Sequence, residues 1–368
     1  MRVFVCSLVV VLAACGAPSV TDGGAGGGSV GGGGSSSGGG GSSSGGGGSS
    51  GGGGGSSGGG GSIGGGGGSV GGGGGSVGGG GGSEDAGNPY EGVDPLADAG
   101  PAQLIDAGFQ FTEGPQWVPA LGALLFSDIP ADRIYQFTPS AGLSLFRTPS
   151  GNSNGLALAP SGELIVCQHQ GRVIRLRLDG GVDTVAQTFD GGQLNSPNDA
   201  VVRSDGTIFF TDPTYGGTGS VGTRGVYRVA PDGGLSRVYA TSSGQPNGVA
   251  LSPDERTLYV ADSQLSEVRR FDVAADGTTS GGARFTLTSA GGPGGVGGDG
   301  ITVDVNGNLY VSTSVGVKVY RPDAGYLGVI PVAQEPANCA FGDADGRTLY
   351  ITARTGLFRV RLNVPGPW

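Results

Sequence analysis

A six-bladed, all-β propeller is the fold this sequence predicts, and three observations carry the prediction. A small polar residue heading a short apolar strand recurs six times, at a spacing of about 40–50 residues, the period of a propeller blade rather than of a helical repeat. Each copy continues into further short runs rich in Val, Ile, Leu, Phe and Tyr, separated by Pro-Asp, Ser-Gly, Asp-Gly or Asn-Gly turns. No stretch has the period and length of an amphipathic helix.

The copies follow in order. The first is Glu113-Gly114-Pro115-Gln116-Trp117 leading to Ala123-Leu124-Leu125-Phe126-Ser127-Asp128. The second is Asn154-Gly155-Leu156-Ala157-Leu158 leading to Glu163-Leu164-Ile165-Val166. The third, and the clearest, is Asn195-Ser196-Pro197-Asn198-Asp199 with Ala200-Val201-Val202, then Thr207-Ile208-Phe209-Phe210-Thr211-Asp212. Asn247-Gly248-Val249-Ala250-Leu251 leads to Thr257-Leu258-Tyr259-Val260-Ala261-Asp262, and Asp299-Gly300-Ile301-Thr302-Val303 to Asn308-Leu309-Tyr310-Val311-Ser312. The last is Asn338-Cys339-Ala340-Phe341 with Thr348-Leu349-Tyr350-Ile351-Thr352. A third, alternating strand follows, as in Arg133 to Phe137, Arg172 to Leu176, Gly225 to Val229 and Val268 to Phe271, and then a weaker fourth such as Ser236 to Tyr239. The last copy reaches its third strand, Gly356 to Val360, close to the end of the sequence. The segment Leu104 to Phe111 is therefore expected to complete that blade and close the ring, which leaves only short, protected edges.

The propeller is expected over residues 104–368, behind two segments of different character. Residues 1–14 read as a signal peptide: Arg2 is a positive n-region, Val3 to Val11 an apolar h-region too short to span a bilayer, and Leu12-Ala13-Ala14-Cys15-Gly16 a small-residue cleavage site. Leu-Ala-Ala-Cys resembles the bacterial lipobox, in which Cys15 becomes the lipidated first residue. Residues 15–103 then form a linker, almost pure Gly and Ser from Gly23 to Gly82, where much of the chain's 85 glycines lie. A coil of about 60 such residues has a reach of roughly 40–45 Å, which suits a spacer behind an anchor. The expectation is an exported bacterial lipoprotein of the cell envelope. Gly16 in place of an Asp after the Cys favours the outer membrane.

A net charge of −10 argues against nucleic acid or anionic lipid as partner. Apart from Cys6 and Cys15 only Cys167 and Cys339 remain, each inside an apolar run, where free Cys behaves as a small buried hydrophobe. Export permits a disulfide, but spacing does not establish one. With a single histidine and no Cys pair, composition alone does not favour zinc.

The first strand of each blade lies nearest the axis, so its leading residue faces the central channel at one mouth. Those residues are Glu113, Asn154, Asn198, Asn247, Asp299 and Asn338. Packing alone would favour apolar residues there. The plain alternative is that Asn-Gly and Asp-Gly are turn residues tolerating left-handed geometry, which suits neither Glu113 before Gly-Pro nor Asn198 before Asp199. Oxygen ligands without imidazole or thiolate select a hard cation such as Ca²⁺. A cation so held polarises a carbonyl or phosphoryl oxygen, and a nearby carboxylate serves as base or nucleophile. The residues therefore indicate a metal-assisted hydrolase, with a purely structural metal on the axis as the alternative.

Glu113-Gly114-Pro115, Ser196-Pro197-Asn198-Asp199, Phe210-Thr211-Asp212-Pro213, Pro246-Asn247-Gly248, Ser252 to Val260, Asp299-Gly300 and Asn338 to Gly342 with Asp345 to Tyr350 resemble the SMP-30/gluconolactonase family over roughly Leu104 to Leu362. The resemblance implies a six-bladed propeller with one axial divalent cation, commonly Ca²⁺ and sometimes Zn²⁺ or Mn²⁺, that hydrolyses sugar lactones. It implies Glu113, Asn247 and Asp299 as metal ligands, Asn198 as the residue facing both metal and substrate, and Asp299 as the base for the attacking water. Asn154 and Asn338 carry no firm family role; Asn154 stands as a substrate contact. Animal members have an Arg where this chain has Ser196, so their substrate preference does not transfer. The same cation site would serve an organophosphate hydrolase, and a non-catalytic binding propeller is the third reading. A small-molecule substrate and a monomer are expected.

Four further features are singled out. His169, after the second strand of blade 2, reads as a turn hydrogen-bonder or a substrate contact. Asp128, Asp212 and Asp262 end their second strands in matching places and read as turn and inter-strand hydrogen-bonders. Tyr215 is placed to line the entrance or pack between blades. The Gly-rich stretch from Gly281 to Gly298 reads as a loop, at the mouth or as an inter-blade insertion.

Overall fold

The computed structural model describes residues 88–287 and 297–367. They form six four-stranded antiparallel sheets and one small hairpin, Thr188–Phe189 with Gly192–Gln193, and contain no α-helix. The expected signal peptide, Cys15 and nearly all of the Gly/Ser linker lie outside the described residues.

Blade 1 runs outward through Thr112–Val118, Ala123–Asp128, Arg133–Thr138 and Gly142–Arg147. Blades 2 to 5 begin at Ser153–Leu158, Ala200–Val202, Pro246–Leu251 and Ile301–Val303. Blade 6 takes three strands, Pro336–Gly342, Thr348–Ala353 and Gly356–Arg361, from late in the chain and its outermost, Gln103–Ala107, from before blade 1. Gln103 pairs with Arg359 and Ala107 with Gly356, so the two ends of the propeller are joined by a β-ladder as expected.

Second strands are buried at almost every position because the blades stack face to face. Val118, Leu125 and Ile134 of blade 1 pack on Leu156, Leu164 and Val166 of blade 2; Phe209 and Val226 of blade 3 pack on Val249, Leu258 and Val260 of blade 4. Apolar residues on both faces of one strand are what made these strands read as continuous runs rather than alternating ones. Asp128 accepts the backbone N–H groups of Gln110 and Phe111, Asp212 those of Asn195, and Asp262 those of Gln245, Gln264 and Leu265, so these carboxylates staple turns as expected. Cys167 and Cys339 are free and buried, and burial pushes the Cys339 thiol up to about 12.

The Gly-rich stretch is shorter than the sequence suggests. Thr279–Thr286 is the fourth strand of blade 4, paired with Glu267–Val273, and takes in Gly281 and Gly282. The register slips between Arg270 and Phe271, and Gly282 (φ +120°) absorbs the extra residue as a bulge. Residues 288–296 lie outside the described residues.

The innermost strands touch one another all round the axis, blade 1 meeting blades 2 and 6. In three blades they do so through the glycine after the head. Gly155 N–H donates to Asn198 O at 2.7 Å, Gly248 N–H to Asp299 O at 3.1 Å and Gly300 N–H to Ala337 O at 2.7 Å. A Cβ at Gly248 would lie 2.4 Å from Asp299 O, and one at Gly300 2.1 Å from Asn338 Cγ. Of the four glycines that follow a head, only Gly114 has positive φ, so Asn-Gly and Asp-Gly serve close approach here and not turn geometry. Gly248→Ala is therefore expected to cost about 1–3 kcal/mol in urea unfolding. A loss below about 0.5 kcal/mol, the range of a neutral surface change, would show that the strands are free to spread.

Candidate active site

The six heads sit where the ladder to the second strand is irregular. Register slips between Glu113 and Gln116, Ser153 and Leu156, Pro246 and Val249, and Pro336 and Asn338. In blades 3 and 5, pairing starts only after the head, at Ala200 and Ile301. A residue at such a slip leaves the in-out alternation, so a polar side chain can turn toward the axis without reversing the strand that follows. Glu113, Asn154, Asn198, Asn247 and Asn338 are buried, and Asp299 alone keeps part of its surface open to solvent.

Each side chain has a specific setting. Glu113 Oε2 accepts Gly114 N–H at 2.9 Å. Asn154 Nδ2 lies 3.0 Å from His169 Nε2, while its Oδ1 is sealed from solvent and has no partner. Asn198 is fixed by its backbone, accepting Gly155 N–H at 2.7 Å and donating to Thr211 O at 2.9 Å. Asn247 Nδ2 donates to Ser263 Oγ at 3.1 Å, and Ser263 Oγ lies 2.6 Å from the hydroxyl of Tyr215, which is half-exposed above it. Asn338 Oδ1 accepts Cys339 N–H at 2.8 Å, which turns its amide nitrogen toward the carboxylates of Glu113 and Asp199. Ser196 Oγ donates to Pro213 O at 2.9 Å and accepts Gly216 N–H at 3.1 Å, binding its own loop.

The electrostatics are those of crowded carboxyls. Burial, and then the charge of Asp299, hold the Glu113 carboxyl well above its usual range. Asp299 is pushed up to about 7 by the protein packed around it and by Asp199, with Asn247 opposing the shift. Asp199, pushed up to about 7 by burial, is a residue to which the sequence alone gave no role in the site. Its Oδ2 does accept Val249 N–H at 3.1 Å, but its charge also bears on Glu113 and Asp299. The signal was present: in this copy an acid stands where four others have Gly. Among the described residues no Lys or Arg forms an ion pair with Glu113, Asp199 or Asp299. His169 is pushed down to about 4 by burial and is neutral at ordinary pH.

No group of three or more His, Cys, Asp or Glu side chains is set for a metal ion among the described residues. Four of the six ring heads are instead carboxamides. Unneutralised carboxyls and an orphaned amide oxygen, without thiolate, suit a hard divalent cation. A cavity of about 400 Å³ is lined by the innermost strands, with Asp199 and Asn338 among its polar residues and Leu158, Leu251 and Phe341 among its apolar ones.

A family match covers most of the propeller. The SMP-30/Gluconolactonase/LRE-like region matches residues 111–355, and the chain belongs to that family. It is 34% identical to the gluconolactonase of Zymomonas mobilis over 301 residues, 72% of this chain and 82% of the relative. It is 28% identical to a pentonolactonase of Haloferax volcanii over 69% of this chain and 85% of that one. A solved gluconolactonase from Xanthomonas campestris superposes with a TM-score of 0.66 at 32% identity, covering 73% of this chain and 91% of that one.

The raised carboxyls make a pH prediction for protein held in chelator. A carboxyl whose folded value exceeds its unfolded value near 4 binds its proton more tightly in the folded state. Stability is then highest at low pH and falls from about pH 4 to about pH 7, by roughly 1.4 kcal/mol per pH unit for each group still protonated. Urea unfolding between pH 4.5 and 7.5 reads this directly. A profile that is flat or rises with pH would contradict the assigned crowding.

Proposed function

We propose that this protein hydrolyses a sugar lactone at the axial ring, with a divalent cation, best Ca²⁺, held by Glu113, Asn198, Asn247 and Asp299. The observation that carries the reading is the convergence of carboxylates and carboxamides at the blade heads, with no Lys or Arg ion-paired to these acids among the described residues. Membership of the family, and relatives named for lactone hydrolysis at 28–34% identity, support the choice of substrate class.

The cation, when bound, supplies polarisation of the lactone carbonyl. Asp299, the head that keeps solvent contact, takes a proton from the attacking water. The water oxygen bonds to the carbonyl carbon, the ring C–O bond breaks, and the proton passes to the departing ring oxygen, giving a hydroxy acid. Asn198 faces the substrate beside Asp199, whose backbone is held to Thr211. Glu113→Gln and Asp299→Asn are expected to lower kcat on glucono-1,5-lactone by about 10²–10⁴-fold with thermal unfolding cooperative as in the parent. Chelation should abolish turnover and added Ca²⁺ restore it. Undiminished turnover by both variants and by chelated protein would overturn the reading.

The N-terminal residues belong to the same proposal: export, with Cys15 as lipid anchor in the cell envelope, preferentially the outer membrane. Cys15→Ala is expected to move the protein from the membrane pellet to the soluble fraction. A variant that stays in the pellet would refute the anchor.

A further inference from the structure

We infer that Asn154 is a further oxygen ligand of the axial cation, and that His169 is the positioning residue that turns its carbonyl oxygen inward. The inference rests on the cation reading above.

Asn154 heads blade 2 between Glu113 and Asn198. Its backbone is tied on both sides: Ser127 Oγ donates to Asn154 O at 2.7 Å, and Gly155 N–H donates to Asn198 O at 2.7 Å. The side chain is 2% exposed. Its carboxamide nitrogen faces His169 Nε2, so the oxygen faces the other way, unpartnered and closed to solvent. A buried acceptor left unbonded is costly, and something that the polypeptide does not supply must satisfy it. A substrate hydroxyl is too large to reach an oxygen that water cannot touch. A desolvated cation held among the heads is not, and Ca²⁺ takes six to eight oxygens, more than the four residues already assigned provide.

The imidazole is fixed as firmly as the amide. His169 N–H donates to Asn152 O at 3.1 Å, and Gly216 lies so close that a Cβ there would fall 2.4 Å from His169 Cβ and Cγ. With the ring hydrogen on Nδ1, the Nε2 lone pair, 3.0 Å from Asn154 Nδ2, receives the Asn154 N–H. Blade 4 repeats the device. Ser263, like His169 the first residue after its second strand, receives the N–H of Asn247, the head of the same blade. Both heads thus have their amide nitrogen taken up by the same position in their blades, one of them is a ligand by family resemblance, and at Asn154 the oxygen is left without a partner. Outer residues that orient ligands in this way characteristically change metal affinity about 10–100-fold when removed.

The test is Ca²⁺ binding by calorimetry to the full chain, with no lactone present. Asn154→Leu, close in size but without the oxygen, is expected to weaken Ca²⁺ about 10–100-fold. His169→Leu should weaken it about tenfold, and His169→Gln, which keeps an acceptor near Nε2, should recover most of the loss. Asn154→Asp, which keeps the oxygen, should bind Ca²⁺ at least as tightly as the parent, and it answers the question should Asn154→Leu fail to fold. Unchanged affinity in Asn154→Leu, or affinity lost equally in Asn154→Asp, would overturn the inference while leaving a binding-competent parent. A parent that binds no Ca²⁺ would instead sink the cation reading itself.

Discussion

The closeness of the six innermost strands is the constraint on which the rest of this molecule depends. Where a glycine N–H of one blade meets the carbonyl of the next head at 2.7–3.1 Å, the strands stand nearer than any side chain would permit. Two consequences follow together. The ring is stitched by backbone hydrogen bonds that do not depend on side-chain identity, which lets the heads be chosen for chemistry. The approach also removes water from the heads, so polar groups at these positions are desolvated before any ligand arrives.

Desolvation is what gives the site its character. A carboxylate in water is inexpensive, but burial raises the proton affinity of Glu113, Asp199 and Asp299, and the charges of Asp299 and Asp199 on Glu113, and of Asp199 on Asp299, raise it further. Protonation relieves that cost, and the proposed cation would relieve it in competition with protons, which would couple its binding to pH and to folding stability through the same groups. The belt around the axis must hold against the repulsion, and it does so with the ladder that joins Gln103–Ala107 to Gly356–Arg361 closing the circle.

Much of this could be read from the sequence, for a definite reason. The close approach demands Gly after most heads, and the buried second strands demand uninterrupted apolar runs, so both the blade count and the heads repeat visibly. What the sequence hid was whatever depends on a neighbour from another blade. Asp199 reads as scaffold because its bond to Val249 N–H spans 50 residues, and its charge matters only once blades 1 and 5 stand beside it. The stretch at Gly281 reads as loop because a bulge and a loop use the same residue, and only the register with Phe271 separates them. The partners of Asn154 and Asn247 lay within reach, 15 and 16 residues on, at matching places, but a lone His and a lone Ser do not announce a shared role.

An asparagine at a blade head is a choice still to be made, because the carboxamide presents an acceptor on one side and donors on the other. The neighbour that takes up one side decides which face the axis sees. Ser263 and His169 take up the amide nitrogens of Asn247 and Asn154, and at Asn154 the oxygen is left buried without a partner. Cys339 N–H occupies the oxygen of Asn338, so this head turns its nitrogen toward Glu113 and Asp199 instead. Asn247 also hydrogen-bonds the Asp299 carboxylate, so two of these three heads steady acids, while Asn154 leaves its oxygen unbonded. Replacing one Asn head by another residue of equal polarity would therefore be a smaller change than replacing the outer residue that orients it, since the latter alters the sign of the dipole the axis meets.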